Sequence, residues 1–226
     1  EINMDDIKKI NYAELFKENR HVLVKKFISK ELSDFLYNYT LLKAKSVETL
    51  VLNATIPPDS LLGGYTESQV PGSFGAYADF AMETLLADIT PKMEQVTGLR
   101  LCPTYSYQRI YKHNQSLDRH KDRPSCEVSA TLCLGYDNSN RSDGYNWGMF
   151  IEKSGEVGLE GKEIKLEPGD LIVYRGCELE HWREPFQGNI LSQVFLHYND
   201  IDGQFGESFK YDKRAMLGLP AVQKRQ

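Results

Sequence analysis

From residue 100 onward the chain is cut into pieces too short for long helices. LRLCPTYSYQRIY, CEVSATLCLGY, NWGMFIE, KEIKLE, DLIVYR and NILSQVFLHY are short runs rich in β-branched and aromatic residues. Turn-forming stretches, HNQ, DNSNRSDG, KSGEVG and EPGD, lie between them. Short strands punctuated in this way pack as a sandwich or barrel. The reading is about eight strands in a double-sheet jelly roll.

The first hundred residues have a different texture. HVLVKKFI (21–28) reads as a strand, and Ser29 is placed to cap a helix over about 30–44. Leu32, Phe35, Leu36, Tyr39 and Leu42 fall at helical spacing in that helix. Residues 53–75, with Pro57, Pro58, Pro71, Tyr65 and the pair Gly63–Gly64, read as a long lid-like loop. A second helix is expected over about 76–97, with Phe80, Leu85, Leu86, Ile89, Met93 and Val96 inward and Gly98 closing it. Helices followed by strands make an α+β architecture. The expected division is one domain over 1–226: helical support and lid loop in 1–99, jelly-roll core in 100–200, and a C-terminal extension in 201–226.

Composition narrows the partners. With 41% hydrophobic and 26% charged residues, the chain falls in the ordinary globular range. A net charge of -5 and the lack of a basic run argue against nucleic acid. No apolar run approaches the roughly 18 to 20 residues of a membrane span, and the N-terminal stretch is too charged for a signal peptide. Cys102, Cys126, Cys133 and Cys177 lack CxxC spacing and read as reduced thiols. A cytoplasmic protein with a small-molecule or peptide substrate is expected; the sequence leaves the oligomeric state open.

One constellation carries chemistry. His120 and Asp122 stand two apart just before a strand-like run, so on an extended backbone both side chains share a face. Downstream, the EPGD turn opens another strand, and His181 lies about ten residues past it. Two histidines and a carboxylate on one side of an open site form the facial triad of non-heme Fe(II) oxygenases, which leaves positions free for other ligands. Taken singly the residues are unspecific: His120 and Asp122 also fit a surface pair, and His181 a structural histidine. Arg183, two past His181, and Arg109, two before Tyr111, would share faces with those residues. Ser129, Thr131 and Gln193 are further polar residues on inner strands. Arg123 with Glu127 reads as a structural ion pair, and Trp182 as a candidate wall of the metal site.

On these residues the stretch 100–200 resembles the double-stranded β-helix core of the 2-oxoglutarate- and Fe(II)-dependent dioxygenases, in particular the prolyl 4-hydroxylase-like branch. The preceding helices and strand are similar to that branch's N-terminal support. The resemblance implies that His120, Asp122 and His181 bind Fe(II), and that Tyr111, nine residues before His120, hydrogen-bonds 2-oxoglutarate. It also implies a basic residue nine to eleven positions after the second histidine, where this chain has Ile190, Leu191 and Ser192. Ser192 matches a serine that often follows the basic residue, but the cation itself is missing. Arg183, or else Arg109, is then the expected partner of the far carboxylate. The implied activity is hydroxylation of an unactivated C–H, in a prolyl residue or a small amino-acid-like substrate. It would use Fe(II), 2-oxoglutarate and O2, with ascorbate a further candidate. The alternative is a cupin-like metal-binding or sensing protein without 2-oxoglutarate turnover.

Overall fold

The computed structural model describes residues 10–221. Eight strands follow residue 100: β3 (Leu101–Lys112), β4 (Leu117–His120), β5 (Val128–Asp137), β6 (Met149–Glu152), β7 (Gly161–Ile164), β8 (Leu171–Arg175), β9 (His181–Arg183) and β10 (Ile190–Asp200). Ahead of them come α1 (Tyr12–Asn19), β1 (His21–Val24), α2 (Lys30–Leu52), β2 (Phe74–Tyr77) and α3 (Phe80–Thr97). The strands form a six-stranded sheet, β1-β8-β5-β10-β3-β2, and a four-stranded sheet, β4-β9-β6-β7, antiparallel throughout. This is the jelly roll that the strand spacing indicates, with helices on the outer face of the larger sheet.

Strand alternation decides what each face does. On β10, Val194, Leu196 and Tyr198 join Met82, Leu86 and Met93 of α3 in the core between sheet and helices. Leu191, Gln193, Phe195 and His197 point the other way, between the sheets. On β3 the inward set is Tyr105, Tyr107, Arg109 and Tyr111. Apolar clusters around Ile151, Ile172 and Leu179, and around Trp147, Phe186 and Leu191, fill the rest of the inter-sheet space.

The helices depart from expectation in instructive ways. Helix α1 has no counterpart in the sequence reading, being only 8 residues long. The first strand stops at Val24, because Lys26 takes a left-handed φ of 50° and its N–H turns to Asp170 Oδ1 at 2.8 Å. Ser29 caps α2 as expected, but the helix runs on to Leu52 and buries Ser33, Leu36, Thr40, Ala44 and Val47. Leu32, Phe35 and Leu42 of the expected stripe lie exposed. Small residues win this face because α2 sits very close to the sheet. Ser33 Oγ donates to Leu134 O at 2.8 Å, and the Tyr37 ring lies where a Cβ on Gly135 would be, 2.7 Å away. The next helix begins at Phe80 rather than 76. Residues 74–77 pair with β3 as β2, and the Asp79 carboxylate caps α3 through the N–H groups of Ala81 and Met82. Phe80 is consequently exposed, while Gly98 closes the helix at a φ of 71°. No helix among the described residues is long and apolar enough to cross a membrane. The four cysteines are unpaired.

Candidate active site

β4 and β9 pair so that His120 stands directly opposite His181. The ring centroids are 4.3 Å apart. Just past β4 the Asp122 N–H bonds to Gly176 O at 2.9 Å, which brings the carboxylate back over the pair. Gly176 makes this approach feasible, since a Cβ there would lie 2.2 Å from Asp122 Oδ2. Asp122 Oδ1 then stands 3.6 Å from Nε2 of each histidine.

The hydrogen bonds behind these side chains fix their chemistry. His120 Nδ1 meets Asp118 O at 2.7 Å, and His181 Nδ1 meets Leu179 O at 3.1 Å. A carbonyl can only accept, so each Nδ1 carries a proton and Nε2 is the nitrogen left to face a metal. Ser129 Oγ donates to Asp122 Oδ2 at 2.6 Å, leaving Oδ1 free toward the histidines. Burial would push the Asp122 carboxyl up, but the histidines beside it, His181 foremost, hold it well below the usual carboxylate range. Two imidazole lone pairs and one ionised carboxylate oxygen, all within 4.8 Å of one another, are a donor set that fits Fe(II).

The triad opens into a cavity of about 450 Å³ between the sheets, walled by Tyr105, Tyr107, Arg109, Tyr174, Phe195 and His197. His197 is buried against Tyr105, with ring centroids 4.5 Å apart, and its Nδ1 lies 2.9 Å from Ser129 Oγ. Burial depresses its pKa to about 4, so it is neutral near pH 7. The loop after α2 covers the mouth. Glu67 Oε1 accepts from Arg109 Nη2 at 2.5 Å, Gln69 Oε1 from the same nitrogen at 2.8 Å, and Gln69 Nε2 lies 3.3 Å from His120 Nε2.

Tyr111 and Arg183 sit behind the cavity wall, each two residues, or about 7 Å, further along its strand than Arg109 and His181. Arg109 Nη1 donates to the Tyr111 hydroxyl oxygen at 3.1 Å, which leaves that hydroxyl's own proton uncommitted. Arg183 is 2% exposed, and it donates to Trp147 O at 3.0 Å and Gln193 Oε1 at 2.9 Å. Its Nε has no partner, and no carboxylate among the described residues pairs with it. Burial without a counterion lowers its pKa.

Three placements differ from the sequence reading. Ser192 faces away from the cavity: its hydroxyl meets Thr40 Oγ1 of α2 at 2.7 Å. The inward residues of that segment are Leu191 and Gln193, because adjacent positions on a strand point to opposite faces. Arg123 pairs with Asp212 of the C-terminal extension rather than with Glu127, which lies by Arg175. Trp182 stacks on Phe150 on the outer side of the smaller sheet and walls nothing. The sequence reading also missed Glu67 and Gln69, which carry no periodic signal. It missed the inward Tyr105 and Tyr107 too, although their spacing with Arg109 and Tyr111 displays the strand period.

No family model and no curated protein matches this sequence. Solved structures do. A prolyl-4-hydroxylase from Pseudomonas putida superposes with a TM-score of 0.56 at 15% identity, over 84% of this chain and 97% of that one. The non-heme α-ketoglutarate-dependent epimerase SnoN, from nogalamycin biosynthesis, gives 0.61 at 13% identity over 99% and 98%. HygX from Streptomyces hygroscopicus, with nickel and 2-oxoglutarate bound, gives 0.53 at 10% identity over 83% and 85%. The chain therefore has the double-stranded β-helix fold found in 2-oxoglutarate- and Fe(II)-dependent oxygenases.

Proposed function

We propose that this protein is a 2-oxoglutarate- and Fe(II)-dependent dioxygenase that hydroxylates an unactivated C–H. The observation that carries the reading is the preset donor set: Nε2 of His120, Nε2 of His181 and Oδ1 of Asp122 converge at the wall of a cavity, each oriented by a hydrogen bond from behind. Fe(II) bound there supplies activation of O2 coupled to oxidative decarboxylation of 2-oxoglutarate. Overall, a substrate C–H, O2 and 2-oxoglutarate become an alcohol, succinate and CO2.

The chain's own residues do the positioning. Ser129 holds the Asp122 carboxylate in one orientation. Arg183 offers a buried cation for the far carboxylate of 2-oxoglutarate, and leaving such a charge unpaired is costly. Tyr111 adds a hydroxyl donor beside it. Tyr105, Tyr107 and Phe195 line the space left for the prime substrate. A prolyl residue or a small amino-acid-like molecule fits this reading; the likeness to a prolyl-4-hydroxylase supports it only by analogy of fold.

The test is succinate formation from 2-oxoglutarate by the iron-loaded protein. Turnover that requires Fe(II) and disappears in Asp122→Ala supports the assignment. An Asp122→Ala protein that binds iron as tightly and turns over contradicts it.

A further inference from the structure

We infer that Arg109 is the recognition cation for a carboxylate on the prime substrate, and that Glu67 of the mouth loop holds its place until the substrate arrives. The inference deepens the oxygenase reading of this cavity and rests on it for the word substrate.

Two arginines line the cavity, and both are neutralised by segments outside the barrel, but in different ways. Arg123 meets Asp212 through both carboxylate oxygens, at 2.8 and 2.7 Å. That carboxylate also accepts from Ser125 Oγ and from the Tyr77 hydroxyl, at 2.7 Å each. Asp212 is saturated with donors, as a permanent clamp of the C-terminal extension should be.

Arg109 and Glu67 are not saturated. Arg109 is 3% exposed and ringed by Tyr107, Tyr111 and Phe195, where an anion partner stabilises its charge. Glu67 supplies one through a single oxygen to a single nitrogen, Nη2. Its other oxygen, Oε2, has no hydrogen-bond partner, and neither has Arg109 Nε. The guanidinium fork can grip a carboxylate through two parallel bonds, and the loop leaves that capacity unused. A ligand carboxylate that used it would bind Arg109 better than Glu67 does. The displaced side chain has somewhere to go, because Glu67 also lines a neighbouring groove under Leu61, Leu62 and Phe80.

Gln69 indicates where the rest of the substrate would lie. Its single carboxamide spans the gap from Arg109 Nη2 to His120 Nε2, the nitrogen that would face the metal. A metal held at His120 Nε2 would take the place of that contact. A molecule held by its carboxylate at Arg109 then presents a carbon close to that carboxylate to the metal centre. The substrate class is a carboxylic acid of amino-acid type, oxidised near its acid group.

The experiment is calorimetric titration of the full chain with N-acetylglycine, N-acetylproline and N-acetylphenylalanine, each against its own carboxamide. Glu67→Gln keeps an oxygen for Nη2 but removes the competing charge. In that variant at least one acid should bind about tenfold more tightly than in the wild type. Its amide should be unaffected, and Arg109→Gln should erase the acid's advantage. If Glu67→Gln raises the affinity of none of the acids, including the case where none binds, the inference is overturned. An acid preference that survives Arg109→Gln but vanishes in Arg183→Gln also overturns it. Because binding is read without turnover, succinate formation with no acid preference sinks only this inference. Acid binding through Arg109 without succinate formation instead sinks the oxygenase reading.

Discussion

Arg183 Nη2 donates to Gln193 Oε1 at 2.9 Å across the two sheets, and this neutral amide stands where a buried guanidinium would ordinarily meet a carboxylate. The pairing has opposite consequences for stability and for binding. Removing one partner of a buried charge pair typically costs about 3 to 5 kcal/mol. Arg183→Met should therefore weaken 2-oxoglutarate binding by roughly two orders of magnitude or more while leaving Fe(II) binding intact. In the ligand-free protein the same substitution removes an uncompensated charge. Unfolding in urea should show it to be no less stable than the wild type, and up to about 4 kcal/mol more stable. A large loss of stability with unchanged 2-oxoglutarate affinity would make Arg183 a structural residue only.

Tyr111 contributes a single hydrogen bond. Its hydroxyl oxygen already accepts from Arg109, so the donor side is what a ligand would use. Tyr111→Phe should raise the apparent constant for 2-oxoglutarate about tenfold or more, since a hydrogen bond to a charged group is worth about 1.5 to 3 kcal/mol. An unchanged constant would remove Tyr111 from the site.

Ser129 acts through Asp122. Loss of an outer partner of a metal ligand typically costs about 10- to 100-fold in affinity. Ser129→Ala should weaken Fe(II) binding by that order, read in a competition titration with a chelator, and Ser129→Thr should restore most of it. If alanine leaves iron affinity untouched, the 2.6 Å contact with Asp122 does not orient the carboxylate.

His197 makes acid stability a further check. Its folded pKa of about 4 lies below the ordinary 6.5, so the unfolded chain takes up the proton first as the pH falls. Stability from this group is complete above about pH 6.5, is lost as pH falls from there to about 4, and changes no further below. The gap corresponds to about 3 kcal/mol. Urea unfolding at pH 7 and pH 4.5 should show a smaller difference for His197→Gln than for the wild type; an equal difference would place the acid sensitivity elsewhere.

What was legible in the sequence follows from strand periodicity. His181 and Arg183 flank one position on β9, as do Arg109 and Tyr111 on β3, and there spacing alone gave the shared direction; Asp122 lies past the end of β4, and its place over the histidines depends on the bond from its N–H to Gly176 O. The resemblance misled at Ser192, which the strand period turns to the α2 side, since neighbouring positions on a strand point to opposite faces. The buried face of α2 was misjudged because close approach to the sheet favoured Ser33, Thr40 and Ala44 over the larger Phe35 and Leu42. Glu67 and Gln69 were illegible, since their roles come from a loop folded over the mouth and from no local pattern.

The central claim is tested most directly by adding Fe(II) and then 2-oxoglutarate to the protein without oxygen. The account predicts a weak visible metal-to-ligand charge-transfer band that appears only when both are present and is absent from His181→Ala. Fe(II) and 2-oxoglutarate that bind with no such band, or a band that persists in His181→Ala, would contradict it.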